Sequence, residues 1–438
     1  MYMFGKNTIT KVTEEIQRLY LKDKKPWIIG YSGGKDSTVT MQLVYIAISK
    51  LPKSKRNKNI WVICSDTLVE IPTVVERVDN TLDRLNRYSL EIEMPFSGHK
   101  VSPKVDESFF VNLIGRGYPA PTRTFRWCTD RMKIQPSSEF IIDKVSHYGE
   151  VIIILGTRKK ESMSRAQTMA NYEIKGTILR RHATLQGAFV YSPIEDWETD
   201  DVWEYLATEE SPWGDNNLGL VKLYRQAGGD ECPAIVDTTT PSCGNSRFGC
   251  WVCTVVEQDK SIKGFIKSGE SWLQPMADFR DLIKDMRERH DEYRIPDSSR
   301  IGGYGAFKLD ARKIILRELL RTDKAVYEIY KQRLIKSEEL WAIQELWKFD
   351  GDMENSISKI YLEVFGRTKI VFKKPTETIQ KRKEEELYLL DLCEEYGVGY
   401  DLLTRLLFIE KDLTKMRRRK GLYQRFDREI SSAVEAQA

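Results

Sequence analysis

Six consecutive residues carry the most legible chemistry in this chain: Ser32, Gly33, Gly34, Lys35, Asp36 and Ser37. Adjacent glycines let a backbone come close to a bound group, and amides at a helix start bind anions. Two hydroxyls and an ammonium beside those amides suit a phosphate. Asp36 cannot face a phosphate without a cation between them, so it either ties down the loop or helps hold Mg²⁺. The preceding WIIG, Trp27 to Gly30, has the pattern of a buried strand. Ser37 to Ser49 keeps apolar residues (Val39, Leu43, Tyr45, Ile46) at helical spacing. A strand–loop–helix turn is therefore expected around the motif. It is not a Walker A loop, because Ile29 stands where the first glycine belongs and Asp36 where a Ser or Thr should follow the lysine.

The cysteines form a second constellation. Cys232, Cys243, Cys250 and Cys253 are spaced C-x10-C-x6-C-x2-C. Thiols at that density suit one metal centre. Zinc ribbons usually show two C-x2-C knuckles and this segment has one, which favours a [4Fe–4S] cluster over zinc or unliganded thiols. Cys128 lies in RWCTDRMKIQP, between Arg126 and Arg131, whose charges favour a thiolate. It is a candidate persulfide carrier or metal ligand, with a buried structural cysteine as the alternative. Cys64 and Cys393 read as core residues.

Elements must position these groups. Short apolar runs at Trp27–Gly30, Ile60–Asp66, Leu90–Pro95 and Val151–Gly156 alternate with helical stretches, including 1–25, Thr73–Leu85 and Met132–Gly149. Strands alternating with helices predict a parallel sheet covered on both faces. Residues 96–126 read as a long loop or insertion. Beyond about residue 260 the chain is charged and helix-prone, ending in a basic run with Arg417, Arg418 and Arg419. Three regions are expected: an α/β domain over 1–225, a cysteine-rich segment over 226–260, and a mostly helical region over 261–438. With 69 basic and 65 acidic residues among 438, the net charge of +4 announces no polyanion partner by itself. There is no apolar run long enough for a membrane span and no apolar N-terminal signal core, and the cysteine count is odd. Together these lead to the expectation of a cytoplasmic protein without a membrane partner.

SGGKDS resembles the PP-loop of the ATP pyrophosphatases, a superfamily that includes phosphoadenylylsulfate reductases and adenylating thiolation enzymes. SDTLVEIPTVVE, RWCTDRMKIQP, LGTRKKESMSRAQ and YSPIEDWETDDVWEYL resemble successive segments of the reductase family. The resemblance implies a PP-loop fold, adenine nucleotide alpha-hydrolase-like, in which ATP is cleaved between its α and β phosphates. It puts Asp66 near the ribose or base, and Arg126 and Lys133 on phosphate. Leu68 stands where that family often has glycine. Gly156 ends an apolar strand, so Arg158 is expected at the carboxyl edge of the sheet with Glu161 orienting it. Arg158, Lys159, Lys160, Arg165, Lys175, Arg180 and Arg181 form a basic stretch that would line a phosphate groove. PSCGNSRFGCWVCT is similar to the cysteine segment of the DndC family, the sulfurtransferases of bacterial DNA phosphorothioation. This resemblance covers roughly 25–260. It implies ATP, Mg²⁺ and a [4Fe–4S] cluster as cofactors, and a DNA backbone phosphate as substrate. The partners it implies are a cysteine desulfurase and other Dnd proteins. The implied catalytic residues are Lys35, Asp36, Arg158 and Cys128. The competing readings are a phosphoadenylylsulfate reductase of sulfate assimilation, a tRNA-thiolating enzyme and a non-catalytic DNA-binding module.

Overall fold

The structure, a computed structural model, describes residues 6–228, 249–297 and 303–366, with a few isolated positions between 392 and 431. Compact packing divides the chain in two. One unit spans residues 1–294 and 306–370; the other comprises 295–305 and 371–438. Of the second unit the described part is chiefly a two-stranded ribbon formed with its flanking residues, Arg294–Asp297 beside Gly303–Phe307.

The first unit is built on a six-stranded sheet. Its strands are β1 (Trp27–Gly30), β2 (Ile60–Ser65), β3 (Phe96–Val101), β4 (Val151–Ile154), β5 (Arg180–Arg181) and β6 (Ala188–Tyr191), in the order β3-β2-β1-β4-β6-β5. All neighbours are parallel except β5, which runs antiparallel on β6. β1 is central and unbroken by polar residues because both its faces are covered: Trp27, Ile28 and Ile29 are fully buried. Ile29 faces a core built by α1 (Lys6–Lys22), α2 (Lys35–Ser49), α3 (Pro72–Glu91), α6 (Thr199–Thr208) and α7 (Asn217–Gly228). Ile28 faces the smaller core under α4 (Gln135–Tyr148), with Ile141 in contact. α5 (Met163–Asn171) starts at Ser162, whose hydroxyl accepts from the Arg165 amide.

Strand order reverses between β1 and β4. In an open α/β sheet that reversal opens a crevice at the carboxyl ends of the strands, where ligands bind. The SGGKDS loop leaves β1 there, and Gly156 leaves β4 there.

The expected third strand at Leu90–Pro95 is displaced. α3 runs on to Glu91, and β3 is Phe96–Val101, paired in register with β2 from Phe96 opposite Ile60. Leu90 is the exposed last turn of the helix, and the alternation after it is a tight reversal with Glu93 at φ 56°. The segment read as a loop is also different. Residues 107–115 form a buried plug containing a π-helical turn, Val111–Gly115, with Phe109, Phe110, Leu113 and Ile114 out of solvent.

That plug packs under a helical layer made of α8 (Lys260–Lys267), α9 (Gln274–Glu288), α10 (Leu309–Tyr330), α11 (Ser337–Phe349) and α12 (Ser356–Phe365). Trp347 Nε1 on α11 donates to Ile114 O at 2.8 Å, and Arg312 Nη1 on α10 donates to Gly115 O at 2.6 Å. Among the described residues no helix is long and apolar enough to cross a membrane.

Candidate active site

The SGGKDS loop is shaped by its glycines and its hydroxyls. Gly33 has φ +74°, left-handed backbone that disfavours a side chain, and a Cβ there would stand 2.8 Å from Val78 Cγ2 on α3. Gly34 sits at the N-cap of α2 without a side-chain cap, so the first-turn amides have no side-chain acceptor from that position. Ser37 Oγ accepts from the Ser32 amide at 3.2 Å, lies 3.1 Å from Ser32 Oγ, and donates to Gly34 O at 3.0 Å. The loop is thus held by its own two serines. The Lys35 amide donates to Tyr224 Oη of α7 at 3.1 Å.

Asp36 is a hub. Its Oδ2 lies 2.5 Å from Lys35 Nζ and its Oδ1 2.6 Å from Arg158 Nε. Of its two expected roles, tying down the loop is the one these contacts perform. Gly156 lets this happen. A Cβ on it would lie 2.6 Å from Asp36 O and 2.9 Å from the Ser37 amide nitrogen, so the backbones leaving β4 and entering α2 touch. Arg158 follows two residues later, only 3% exposed, with Nη1 reaching Thr199 Oγ1 at 3.2 Å and Trp197 O at 3.4 Å. Glu161 does not orient it: Glu161 pairs with Arg165 one helical turn on, at 3.2 Å.

The loop after β2 forms the other wall. Asp66 Oδ1 accepts from the Leu68 amide at 2.9 Å, and Lys100 Nζ lies 3.0 Å from Asp66 Oδ2. Leu68 has φ 65°, the left-handed conformation that explains a preference for glycine at this position. Glu70 accepts from Thr67 through its amide and hydroxyl, the latter at 2.6 Å. Burial raises the Glu70 carboxyl above the ordinary carboxylate range, against the pull of Thr67 and Lys133.

The C-x2-C knuckle docks on this loop. Trp251 N donates to Val69 O at 2.9 Å, Glu70 and Cys250 form an antiparallel bridge, and Cys250 Sγ lies 3.3 Å from Thr67 Oγ1. Burial pushes the Cys250 thiol up to about 12, with Lys133 opposing and Cys128 adding to the rise. Cys128, Lys133, Glu70 and Cys250 are therefore electrostatic neighbours. Arg131 does not act on Cys128 as a bare cation, since it is buried in an ion pair with Glu107 and donates to Tyr118 Oη at 3.0 Å. Arg126 is half-buried, with Nη2 out of solvent and without a hydrogen-bond partner among the described residues. Cys232 and Cys243 lie outside the described residues. Among the described residues no group of three or more His, Cys, Asp and Glu is arranged to hold a metal ion.

Two arginines of α9, unremarkable in the sequence, fix the knuckle. Arg280 Nε donates to Cys253 O at 2.9 Å and its other nitrogens to Val256 O and Glu257 O. Arg287 Nη1 donates to Pro121 O at 2.7 Å and Thr254 O at 3.2 Å. Both are at least nine-tenths buried. Nothing in their charge pattern distinguishes them from solvated helix residues.

The basic stretch from 158 to 181 is largely neutralised. Besides Arg158 and Arg165, Lys159 lies 3.0 Å from Glu195 and 2.8 Å from Asp196, Lys160 pairs with Glu198 and Arg180 with Glu195. Lys175 and Arg181 stay exposed with no ion pair among the described residues.

A family model described as the phosphoadenosine phosphosulfate reductase domain matches residues 26–256, more than half of the chain and every element just described from β1 to the knuckle. The chain belongs to that family. A relative of this reductase-domain protein, the uncharacterised MJ0066 of Methanocaldococcus jannaschii, is 26% identical over 279 residues. The match takes in 63% of this chain but 45% of the relative, so the chain spans under half of that protein's length. Among solved structures, phosphoadenylyl-sulfate reductase from Candida auris in a phosphate complex is 15% identical, with 50% of this chain and 94% of that one covered at a TM-score of 0.30. The U34-tRNA thiolase NcsA of Methanococcus maripaludis, solved with its [4Fe–4S] cluster, is 14% identical, with coverages of 68% and 84% and a TM-score of 0.30. The expected fold class, a parallel PP-loop sheet with flanking helices and a mostly helical region after it, is observed, with the short edge strand β5 antiparallel.

Proposed function

We propose that this PP-loop enzyme is a sulfurtransferase of DNA phosphorothioation, splitting ATP into AMP and pyrophosphate to activate a DNA backbone phosphate. The observation that supports it is the docking of Cys250 on the loop after β2, one strand away from the loop that grips phosphate. A nucleotide loop alone would fit many ligases; a thiol knuckle zipped beside it fits sulfur chemistry.

In this reading the Ser32–Ser37 loop and the α2 amides hold the β and γ phosphates, and Lys35 exchanges Asp36 for the leaving pyrophosphate. Arg158, fixed by Asp36 and Thr199, supplies a second positive charge at the α phosphate. Gly156 keeps the two loops in contact, Asp66 faces the ribose or base, and Arg126 and Lys133 meet phosphate oxygens of the second substrate. Mg²⁺ would shield the phosphates when bound. The thiol donors fit a [4Fe–4S] cluster held by Cys250 and Cys253 with Cys232 and Cys243, or with Cys128, and such a cluster would bind and polarise sulfur. Oxygen on a phosphodiester is a poor leaving group, so adenylation comes first; sulfide-level sulfur then bonds to phosphorus as the P–O bond to the adenylate breaks, and AMP leaves with that oxygen. A cysteine desulfurase supplies the sulfur as a persulfide, a thiol reductant supplies the two electrons that bring it to the sulfide level, and other Dnd proteins choose the DNA sequence.

The test is a reaction with ATP, duplex DNA, a sulfur-loaded cysteine desulfurase and a thiol reductant, followed by nuclease digestion and mass spectrometry. Phosphorothioate dinucleotides and DNA-dependent pyrophosphate, both lost in Lys35→Ala, are expected. ADP as the product, or thiolated tRNA in place of DNA, refutes the reading. The family description itself favours a second reading, reduction of phosphoadenylylsulfate; sulfite release with thioredoxin would establish it.

A further inference from the structure

α3 and the turn before α7 leave a cleft that no role above uses. Arg77, Asn80, Thr81 and Arg84 line it from α3, with Glu76 at one end, and Asp215 and Asn216 face them. The α3 positions recur every three or four residues and so share one helix face. The cleft borders the nucleotide loop: Val78 packs under Gly33, and the Arg77 charge acts on the phenol of Tyr31.

Both of its carboxylates already accept hydrogen bonds from within the protein. Asp215 Oδ2 accepts from Thr81 Oγ1 at 2.6 Å and from Trp213 Nε1 at 2.9 Å, and Arg84 Nε stands 3.8 Å from Oδ1. Glu76 Oε2 accepts from Tyr330 Oη at 2.6 Å. Asn216 Oδ1 accepts from the Gly219 amide at 2.8 Å, which leaves its NH₂ to donate. Arg84 Nη1 donates to Gly214 O at 2.7 Å. Arg77 differs from all of these. It is half-buried, makes no hydrogen bond or ion pair among the described residues, and its Nε is out of solvent without a partner. A half-buried guanidinium with no partner among the described residues, beside a spare amide donor and carboxylates already engaged by Thr81, Trp213 and Tyr330, is arranged to receive an anion.

We propose that this cleft binds a phosphate ester of the second substrate, distinct from the phosphates on the Ser32–Ser37 loop, with Arg77 as the principal donor. The inference rests on the reading that the chain acts on a nucleotide or nucleic acid. The shared chemistry is a phosphate ester, carried either by a DNA strand or by a soluble nucleotide.

Calorimetric titration of the full chain tests it with three probes: ATP, a 5′-phosphorylated thymidine dinucleotide, and adenosine 3′,5′-bisphosphate. Arg77→Met should weaken the dinucleotide, the bisphosphate or both by about tenfold or more while ATP affinity holds, because one charge-assisted bond is lost. Arg77→Lys should recover part of the loss. Loss on the dinucleotide alone assigns the cleft to a strand, and loss on the bisphosphate alone to a soluble nucleotide. The melting temperature should not fall, since no partner within the protein is removed. Unchanged binding of both probes, or an equal loss for ATP, overturns the proposal. A failure to find phosphorothioate in DNA would leave this binding result standing.

Discussion

Replacing Gly156 by alanine is the sharpest perturbation the site offers. The new Cβ would meet Asp36 O at 2.6 Å, Asp36 C at 2.7 Å and Ser37 N at 2.9 Å, all backbone atoms that cannot rotate away. Ordinary contact begins near 3.4 Å, so the two loops must part by about 0.8 Å, the difference between that and 2.6 Å. Gly156 has no left-handed φ, so close approach is the sole reason for glycine there. Overpacking of this kind costs about 1–3 kcal/mol. The same separation stretches the Arg158–Asp36 bond, a charge-assisted contact worth about 1.5–3 kcal/mol when fully desolvated, and less here because Asp36 is 22% exposed. A total of about 2–4 kcal/mol implies a fall in Tm of roughly 2–5 °C at this chain length. Because the displaced atoms begin α2, ATP binding should weaken by about tenfold or more, the equivalent of 1.4 kcal/mol or above. Scanning calorimetry and titration with Mg·ATP read both quantities. A Gly156→Ala protein that melts and binds ATP like the parent would refute the idea that contact between these loops shapes the nucleotide site.

Other outcomes follow from the same geometry. Tyr224→Phe removes the hydroxyl that occupies the Lys35 amide; the ligand-free protein should lose about 1 kcal/mol of stability while pyrophosphate binds more tightly, since that amide becomes available. Weaker pyrophosphate binding would show that Tyr224 assists the ligand. Arg280→Leu leaves the carbonyls of Cys253, Val256 and Glu257 without their donor, a loss of about 3 kcal/mol or more in urea unfolding. Arg280→Lys should recover only part of it, because an ammonium cannot span a planar fork of acceptors. Cys64 is a buried thiol pushed up to about 12. Its folded value is raised, so the stability it contributes is intact below its ordinary pKa near 9 and lost as pH climbs toward 12. Iodoacetamide should therefore leave Cys64 unmodified at pH 8 in the native protein, as peptide mass mapping would show.

Much of the site's scaffold could be read from local pattern. β1 at Trp27–Gly30 is legible because a strand buried on both faces needs four apolar residues in a row, and the glycines after it signal a turn. The position of β3 is not legible, because LEIEM alternates like a strand while its first residues are the end of a helix; only pairing with β2 decides the matter. FFVNLI is apolar but for Asn112, yet proline and glycine downstream give it the pattern of a loop, and its burial depends on α10 and α11 some 200 residues away in sequence. Charge runs mislead in the same way. Lys159, Lys160 and Arg180 look like a phosphate-gripping surface until Glu195, Asp196 and Glu198 fold against them.

The clamp that α9 places on the thiol knuckle bears on how the molecule can be shortened. A chain cut after residue 260 would keep every strand of the sheet and every nucleotide-binding group. It would lose Arg280 and Arg287, and with them the donors to five carbonyl oxygens, those of Pro121, Cys253, Thr254, Val256 and Glu257. The smallest fragment able to present Cys250 and Cys253 in their present pose therefore reaches at least the end of α9. Trimming to the sheet alone should yield a protein that keeps the Ser32–Ser37 loop but whose thiol knuckle has come undone.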